Sequence, residues 1–358
     1  MTSITEVARR AGVSTATASR VVNDVDHPVS EATRARVLEA AAALDYVPNA
    51  LARGLLKRHS PVVGVIVNDI TDPYFAEVVR GLEDAASPAG FLVIICSSER
   101  DAERESSYVR LLRSLRAAGV VFAGSGRDDP AANEAMARHL AAMRADGAAV
   151  VHLSPHAFGE PEVTVDNAGG MVRLVAALVG LGHRRIAFLA GPASLYVAQE
   201  RLAGFRAGLA GAGVAIDERL VVATAFGREG GAAGVDALLA GDAPFTAIAC
   251  ANDPIALGAL QRLAERGIPV PDAVSVAGFD DVPMAALVAP GLSTVRLPLR
   301  DLGRRGFAAT ERLLAGETAA PEVLPAEVVL RASTGAPPPD PLPVRPGGAT
   351  PRTGGPSR

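Results

Sequence analysis

The stretch Ser14-Thr15-Ala16-Thr17-Ala18-Ser19-Arg20-Val21-Val22-Asn23 sets four hydroxyls, an arginine and an amide among short apolar residues. At helical spacing it has one apolar face and one face of hydroxyls plus the arginine. Short hydroxyls bond phosphate oxygens at close approach, and an arginine fork reads guanine bidentately in the major groove. That chemistry suits a DNA surface.

Three short elements must position this face. Ser3-Ile4-Thr5-Glu6 has the spacing of a capping box, which predicts a first helix burying Val7, Ala8 and Ala11. Gly12-Val13-Ser14 then turns the chain, with Ser14 as cap of the second helix. Ser30 and Glu31 open a third helix, whose Val37, Leu38, Ala41 and Leu44 are expected to cover the back of the pair. On spacing alone, an ordinary three-helix cap fits as well as a helix-turn-helix, because the pattern is short and degenerate.

Charge and composition narrow the classes. Residues 1 to 60 carry eight Lys+Arg against six Asp+Glu, whereas the whole chain has a formal charge of −4, so the remainder is acidic and unsuited to coating nucleic acid. At 358 residues and 49% hydrophobic, the chain can bury more than one core. Its longest apolar runs, such as Val62 to Val67 and Phe91 to Cys96, have strand length, so no membrane partner is expected. The start passes straight into a charged amphipathic helix and does not read as a signal peptide, which predicts a cytoplasmic, nucleoid-associated protein. Cys96 and Cys250 fall in expected buried strands and read as free thiols, and the six histidines show no ligand spacing, so neither metal nor cofactor is expected.

From Pro61 onward strand and helix alternate. Val62–Val67, Phe91–Cys96, Gly119–Ala123 and Ala148–Leu153 are continuous apolar runs, and the rhythm resumes at Arg185–Ala190, Leu220–Ala223, Phe245–Cys250 and Val274–Ala277. Such runs joined by helices predict parallel sheets buried on both faces. Breaks at Gly159–Val163 and Leu292–Leu297 suggest two sheets.

Tyr46-Val47-Pro48-Asn49-Ala50-Leu51-Ala52-Arg53-Gly54-Leu55, taken with Ile4 to Asn23, resembles the head of the lac repressor (LacI/GalR-type) family of bacterial transcription regulators. The resemblance runs through most of the chain. It implies a small all-α helix-turn-helix head and an α/β body of two doubly wound parallel-sheet lobes like a periplasmic sugar-binding protein, linked by three crossovers. The implied division is a head over 1–45, a hinge helix and linker over 46–60, and an effector-binding and dimerisation body over 61–334. Lobe one would take about 61–161 and 292–321, and lobe two about 162–291 and 322–334. Within the head, Thr15, Ala16 and Arg20 would read bases, while Ser14, Thr17, Ser19 and Asn23 would hold phosphates. In the hinge, Asn49, Ala52 and Arg53 join the DNA-binding set, and Leu55 takes the position of a leucine that wedges into the minor groove.

The same matching supplies a cleft between the lobes. Asn68-Asp69-Ile70-Thr71-Asp72-Pro73-Tyr74-Phe75 resembles the loop after the first body strand, so Asp72 would bond a hydroxyl and Tyr74 and Phe75 would offer flat apolar surface. Arg201 matches the arginine that reaches the ligand, Asn252 and Asp280 hold two further ligand-facing positions, and Phe226 stands where purine-responsive members have an aromatic. Asn252 and Asp253 could equally cap a helix, and Asp281 could pair with an arginine. Leu195 and Val197 replace the polar residues of purine-responsive members, which favours a sugar or polyol effector. Residues 152 to 160, with His152, Ser154 and His156, depart from the family pattern.

The resemblance thus implies a homodimeric regulator, expected to be a repressor, of double-stranded palindromic operator DNA. Two alternatives are a soluble sugar receptor without a DNA role and an activator of the same family. An enzyme would need more than the incomplete glycine-rich echo Gly124-Ser125-Gly126-Arg127. The Pro- and Gly-rich stretch 335–358 reads as a disordered tail.

Overall fold

The computed structural model describes residues 2–23, 28–46, 59–159 and 163–342. The hinge residues Asn49, Ala52, Arg53 and Leu55 lie outside them.

The head consists of α1 (Ile4–Ala11), α2 (Thr15–Val22) and α3 (Glu31–Ala43). Both halves of the predicted capping box form: the Ser3 side chain accepts from the Glu6 amide, and the Ser3 amide donates to the Glu6 carboxylate at 2.7 Å. Gly12 ends α1 at φ 65°, a left-handed position that a side chain would strain. Val7, Ala8, Ala11, Ala18, Val21, Val37, Ala40 and Ala41 form one core, with Leu44 packed at its edge. Leu38 does not join it. It is 49% exposed, because the buried stripe runs 37, 40, 41, 44 and position 38 is turned about 100° away on a 3.6-residue helix.

The body opens with a parallel sheet in the order β2-β1-β3-β4, formed by β1 (Ser60–Val67), β2 (Leu92–Ser97), β3 (Ala117–Phe122) and β4 (Ala149–His152). Its connections are α4 (Pro73–Ala86), α5 (Ala102–Ser114) and α6 (Pro130–Ala145). After β5 (Val163–Val165) and α7 (Asn167–Gly180), a second parallel sheet runs in the order β7-β6-β8-β9. Its strands are β6 (Ile186–Leu189), β7 (Val221–Val222), β8 (Ala247–Cys250) and β9 (Ser275–Ala277). They alternate with α8 (Tyr196–Gly211), α9 (Arg228–Ala240) and α10 (Asp253–Glu265), and α11 (Met284–Leu287) follows. The expected strand over Leu220–Ala223 shortens to two residues, since Glu218–Leu220 closes into a 3₁₀ turn.

Four short strands, in two pairs, lie where the chain passes between the lobes. β5 pairs in parallel with β11 (Glu322–Leu324), and β10 (Thr294–Arg296) pairs antiparallel with β12 (Glu327–Val329). Between β10 and β11, α12 (Leu299–Leu314) returns to the first lobe and packs on α4. That contact is backbone to backbone. A Cβ on Gly81 would strike the Arg300 carbonyl, and one on Gly303 would strike the Val78 carbonyl. Cys96 and Cys250 are both buried thiols.

The first residues of the expected tail are ordered against the body. His183, fully buried, contacts Thr246 Oγ1 at 2.9 Å through Nδ1, and Ser275 Oγ at 3.1 Å and the Gly335 carbonyl at 3.0 Å through Nε2. Phe245 and Leu342 exchange backbone hydrogen bonds, and Leu342 is 7% exposed. Residues 335–342 are therefore docked on the second lobe. A Pro-rich strip has no apolar periodicity, but one leucine and a few main-chain partners suffice to seat it.

Candidate functional site

Two sites follow from this frame. On the head, Ser14 caps α2 by accepting from the Thr17 amide at 3.1 Å and also contacts the Thr17 hydroxyl at 2.9 Å. Ala18 and Val21 point inward, leaving Thr15, Ala16 and Arg20 exposed together on the outer face. Asn23 folds back to donate to the Ser19 carbonyl at 2.8 Å and contacts Ser19 Oγ at 3.2 Å. The helix start and end thus use Ser14 and Asn23 as caps, and the base-reading candidates occupy the exposed face between them.

The second site lies between the lobes. Asp72, Tyr74, Phe75, Arg201, Phe226, Asn252 and Asp280 all line one cleft, although they come from loops and helices spread over more than two hundred positions. They converge because most lie in the segments that follow the carboxyl ends of parallel strands, where open α/β sheets hold ligands, and Arg201 reaches in from the second turn of α8. Asp72 caps α4, accepting from the Tyr74 amide at 3.0 Å. Asn252 caps α10, accepting from the Ile255 amide at 3.0 Å. Phe75 is 6% exposed and also belongs to the body core.

Arg201 anchors the second-lobe wall. Its Nε donates to Asn167 Oδ1 at 3.0 Å, its Nη1 to the Ala251 carbonyl at 2.5 Å, and its Nη2 lies 3.0 Å from Asp280 Oδ1. The guanidinium also stacks over Phe279, 4.0 Å from the ring centroid. Arginine and aspartate side chains are about equally buried, at 5% and 3% exposure. Burial raises the Asp280 carboxyl far above its ordinary range, opposed by Arg201, while Asp253 and Asp72 push in the same direction as burial. Asp280 adopts φ 121° and Asp281 φ 56°, consecutive positions that non-glycine residues rarely occupy. Hydrogen bonds on both sides hold this turn: the Asp280 amide donates to Val295 O at 2.8 Å, and the Leu297 amide to Asp280 O at 3.3 Å.

The neighbouring acids serve structure. Asp253 accepts from Thr294 Oγ1 at 2.6 Å and the Val282 amide at 2.9 Å, tying α10 to β10. Asp281 pairs with Arg296 at 2.7 Å and Arg331 at 2.7 Å, the arginine-pairing alternative left open on the sequence.

Sequence reasoning missed three features of the cleft. Arg100, in the loop after β2, lies over the Phe226 ring at 5.3 Å and so bridges the two lobes. Its position after a strand end was the available signal. Ser125, in the glycine-rich echo, accepts from the Val197 amide at 3.1 Å, and the Gly126 carbonyl accepts from the Tyr196 amide at 3.2 Å. The Asp128 amide completes the strap by donating to Ser194 O at 2.8 Å. These bonds satisfy the first two amides of α8, a helix with no side-chain cap of its own. Gly124 and Gly126 are needed there because a Cβ would strike Asn68 or the His156 ring. The third feature is an aromatic cluster behind the strap, formed by Phe122, His152, His156 and Phe158.

The cleft is closed. Its cavity is about 50 Å³, against roughly 300–1,000 Å³ for clefts that hold small molecules. A ligand the size of a sugar requires the lobes to part.

A model of bacterial regulatory proteins of the lacI family matches residues 3–49, and a periplasmic binding protein-like domain matches residues 175–334. The chain is 33% identical over 337 residues to the HTH-type transcriptional regulator DegA of Bacillus subtilis (strain 168), covering 93% of this chain and 98% of that one. It is 31% identical over 331 residues to the HTH-type transcriptional repressor CytR of Escherichia coli (strain K12), covering 92% and 95%. Among solved structures, the lac repressor dimer bound to operator and the anti-inducer ONPF matches with a TM-score of 0.82 at 28% identity, over 94% of this chain and 99% of that one. The complex of the transcriptional regulator CelR with cellobiose matches with a TM-score of 0.67 at 31% identity, over 93% and 100%. With a capped helix-turn-helix head on a two-lobed body that converges its polar residues in one interlobe cleft, the chain belongs to the lacI family of bacterial regulatory proteins, the DNA-binding transcriptional regulators.

Proposed function

We propose that the protein is a cytoplasmic homodimeric repressor that binds a palindromic operator and releases it when a sugar or polyol enters the interlobe cleft. The observation that carries this reading is the cleft itself. Two arginines, two carboxylates and two amides stand between aromatic rings, the mixture of donors, acceptors and flat apolar surface that hydroxyl recognition needs. The solved complex of CelR with cellobiose, a relative of the same architecture, supports a sugar as the ligand class.

Two surfaces support the dimer. β2 is an edge strand, and it exposes Leu92 at 62% and Ile95 at 40%. On the second lobe, Leu257, Leu260, Ile268, Val270, Met284 and Val288 line an apolar groove of about 650 Å³, with Leu287 76% exposed beside it. Exposed apolar patches of this kind mark association surfaces, and a second copy is the occupant that matches the lac repressor dimer. A two-fold dimer presents two heads to two half-sites, which accounts for a palindrome.

In this mechanism Thr15, Ala16 and Arg20 read base edges while Ser14, Thr17, Ser19 and Asn23 sit against phosphates. Asn49, Ala52, Arg53 and Leu55 form the hinge contacts. Ligand entry parts the lobes, breaks the strap across α8 and changes the spacing of the paired first lobes, so the two hinges no longer meet over one minor groove. Binding free energies are reciprocal, so operator must weaken ligand binding by the factor by which ligand weakens operator binding.

A fluorescence anisotropy titration on DNA upstream of the protein's own gene and its neighbours, repeated with a panel of sugars, tests the proposal. Specific binding weakened by one sugar is the expected result. Specific binding indifferent to every sugar would remove sugar as effector, and binding strengthened by one would make that ligand a corepressor.

A further inference from the structure

Asp280 lines the cleft, but the residues that set its position stand behind it. Its backbone holds φ 121°, a region that non-glycine residues occupy only where their surroundings impose it. The turn over 278–281 wraps around one carboxylate, that of Asp253, which is fully buried and does not line the cleft. Asp253 Oδ2 accepts from the Val282 amide at 2.9 Å on one side of Asp280, and the Asp253 amide donates to the Phe279 carbonyl at 2.8 Å on the other. Gly278 passes so close to Asp253 Oδ1 that a Cβ there would strike it. Phe279, fixed in this way, is the ring on which the Arg201 guanidinium rests.

The other carboxylate oxygen is turned to the crossover. Thr294 of β10, also fully buried, donates its hydroxyl to Asp253 Oδ1 at 2.6 Å, and the same hydroxyl oxygen accepts from the Asp281 amide at 3.4 Å. On either side of Thr294, the Ser293 and Val295 carbonyls accept from the Gly278 and Asp280 amides, each at 2.8 Å. The turn is thus laid along β10, a strand of one of the two pairs between the lobes. Segments that cross between two lobes absorb a change in the angle between them. A buried carboxylate needs partners at both oxygens, so loss of the Thr294 hydroxyl leaves Oδ1 without its donor, and displacement of the turn is the available relief.

We infer that Asp253 and Thr294 are positioning residues for effector recognition: Asp253 fixes the turn that presents Asp280 to the ligand, and Thr294 ties that turn to the interlobe crossover. This rests on the proposal that the cleft binds a sugar-like ligand. Neither residue touches the ligand, and their effect passes through Phe279 and Asp280.

The test uses the full chain and the variants Thr294→Val, Thr294→Ser and Asp253→Asn. Valine keeps the volume of threonine and loses the hydroxyl, whereas serine keeps the hydroxyl and loses a methyl. A packing role makes serine the more damaging change; the positioning role makes valine so. The probes are ribose, glucose, galactose and cellobiose, read by melting temperature and by anisotropy on the DNA upstream of the protein's own gene. For the sugar that acts on the parent, Thr294→Val and Asp253→Asn should raise the half-effective concentration at least about tenfold, the equivalent of one hydrogen bond to a charged group. Thr294→Ser should stay within about threefold of the parent. DNA affinity without sugar should match the parent in all three, and ligand-free melting curves establish that each is folded. Should Asp253→Asn not fold, the comparison of valine with serine decides alone. An unchanged sugar response in Thr294→Val, or a greater loss in Thr294→Ser, would overturn the inference and leave the sugar reading standing. A fall in DNA affinity as large as the fall in sugar response would also overturn it, since the residues would then support the fold only. Silence of the parent to every sugar with DNA binding intact would overturn both readings.

Discussion

Ser125 of the first lobe accepts a hydrogen bond from the backbone amide of Val197 in the second at 3.1 Å, and so caps a helix that belongs to the other half of the body. The free energy of one such bond is about 0.5–1.5 kcal/mol. Its neighbours from Gly126 and Asp128 act in the same closed arrangement and are lost together when the lobes part. Arg127 and Leu195 lie opposite each other in an antiparallel bridge there, at a spacing compatible with a disulfide. The double variant Arg127→Cys/Leu195→Cys should cross-link under mild oxidant and make operator affinity unresponsive to effector until it is reduced. An oxidised protein that still responds would show that closure of this strap does not control DNA binding.

The buried pair of Arg201 and Asp280 has a large stability consequence. Removing one partner of such a pair leaves a buried charge without compensation, at a cost of about 3–5 kcal/mol. Arg201→Ala and Asp280→Asn should both lower the urea midpoint strongly, the first by removing the contacts to Asn167, Ala251 and Phe279 as well, the second by leaving the buried guanidinium without its counter-charge. Equal midpoints for Arg201→Ala and the parent protein would show that the pair is not buried in solution.

On the head, Arg20→Ala should weaken specific operator binding by about 1–3 kcal/mol and relax preference at one base position of each half-site. Anisotropy against operators substituted one base at a time measures both. A uniform loss on all sequences would make Arg20 a phosphate contact.

Leu55→Ala, in the hinge, should reduce operator bending and affinity while leaving effector binding intact, since the methyls of a wedge act only at the base step. Gel mobility of circularly permuted operator fragments reports the bend. Undiminished bending would remove the wedge role.

Acid sensitivity follows from the histidines. Burial holds the His156 ring down at about 4, from an ordinary 6.5, and its Nδ1 is bonded to the Ser154 carbonyl at 2.8 Å. Burial likewise lowers the pKa of His183, which anchors Gly335. Depressed folded values mean that the unfolded chain takes up protons first, so these groups contribute stability above pH 6.5 that falls away as pH drops toward 4. Melting temperatures measured across that range should decline, and His156→Phe should flatten part of the decline. A curve unchanged by the substitution would exclude His156 as a source.

By itself the sequence determined the local and the modular parts. Ser3 and Glu6 sit three apart, Ser14 precedes a helical run, and continuous apolar runs alternate with amphipathic ones; each is a short-range pattern whose physics is complete within one element. Asp72, Arg201, Asn252 and Asp280 were legible as cleft residues only because their motifs resemble a known family, for nothing in their spacing along the chain places them together. Their convergence, the burial of Asp280 against Arg201, the capping of α8 by Ser125 and the placement of the Arg100 guanidinium over Phe226 all depend on which strand ends the two sheets bring face to face. The same holds for Leu38, whose exposure depends on the phase of α3 against α1, and for Leu342, which finds its partner Phe245 nearly a hundred residues away. Such long-range contacts leave no periodic trace in the chain, because each is an interaction between elements already formed, and only the tertiary structure decides it.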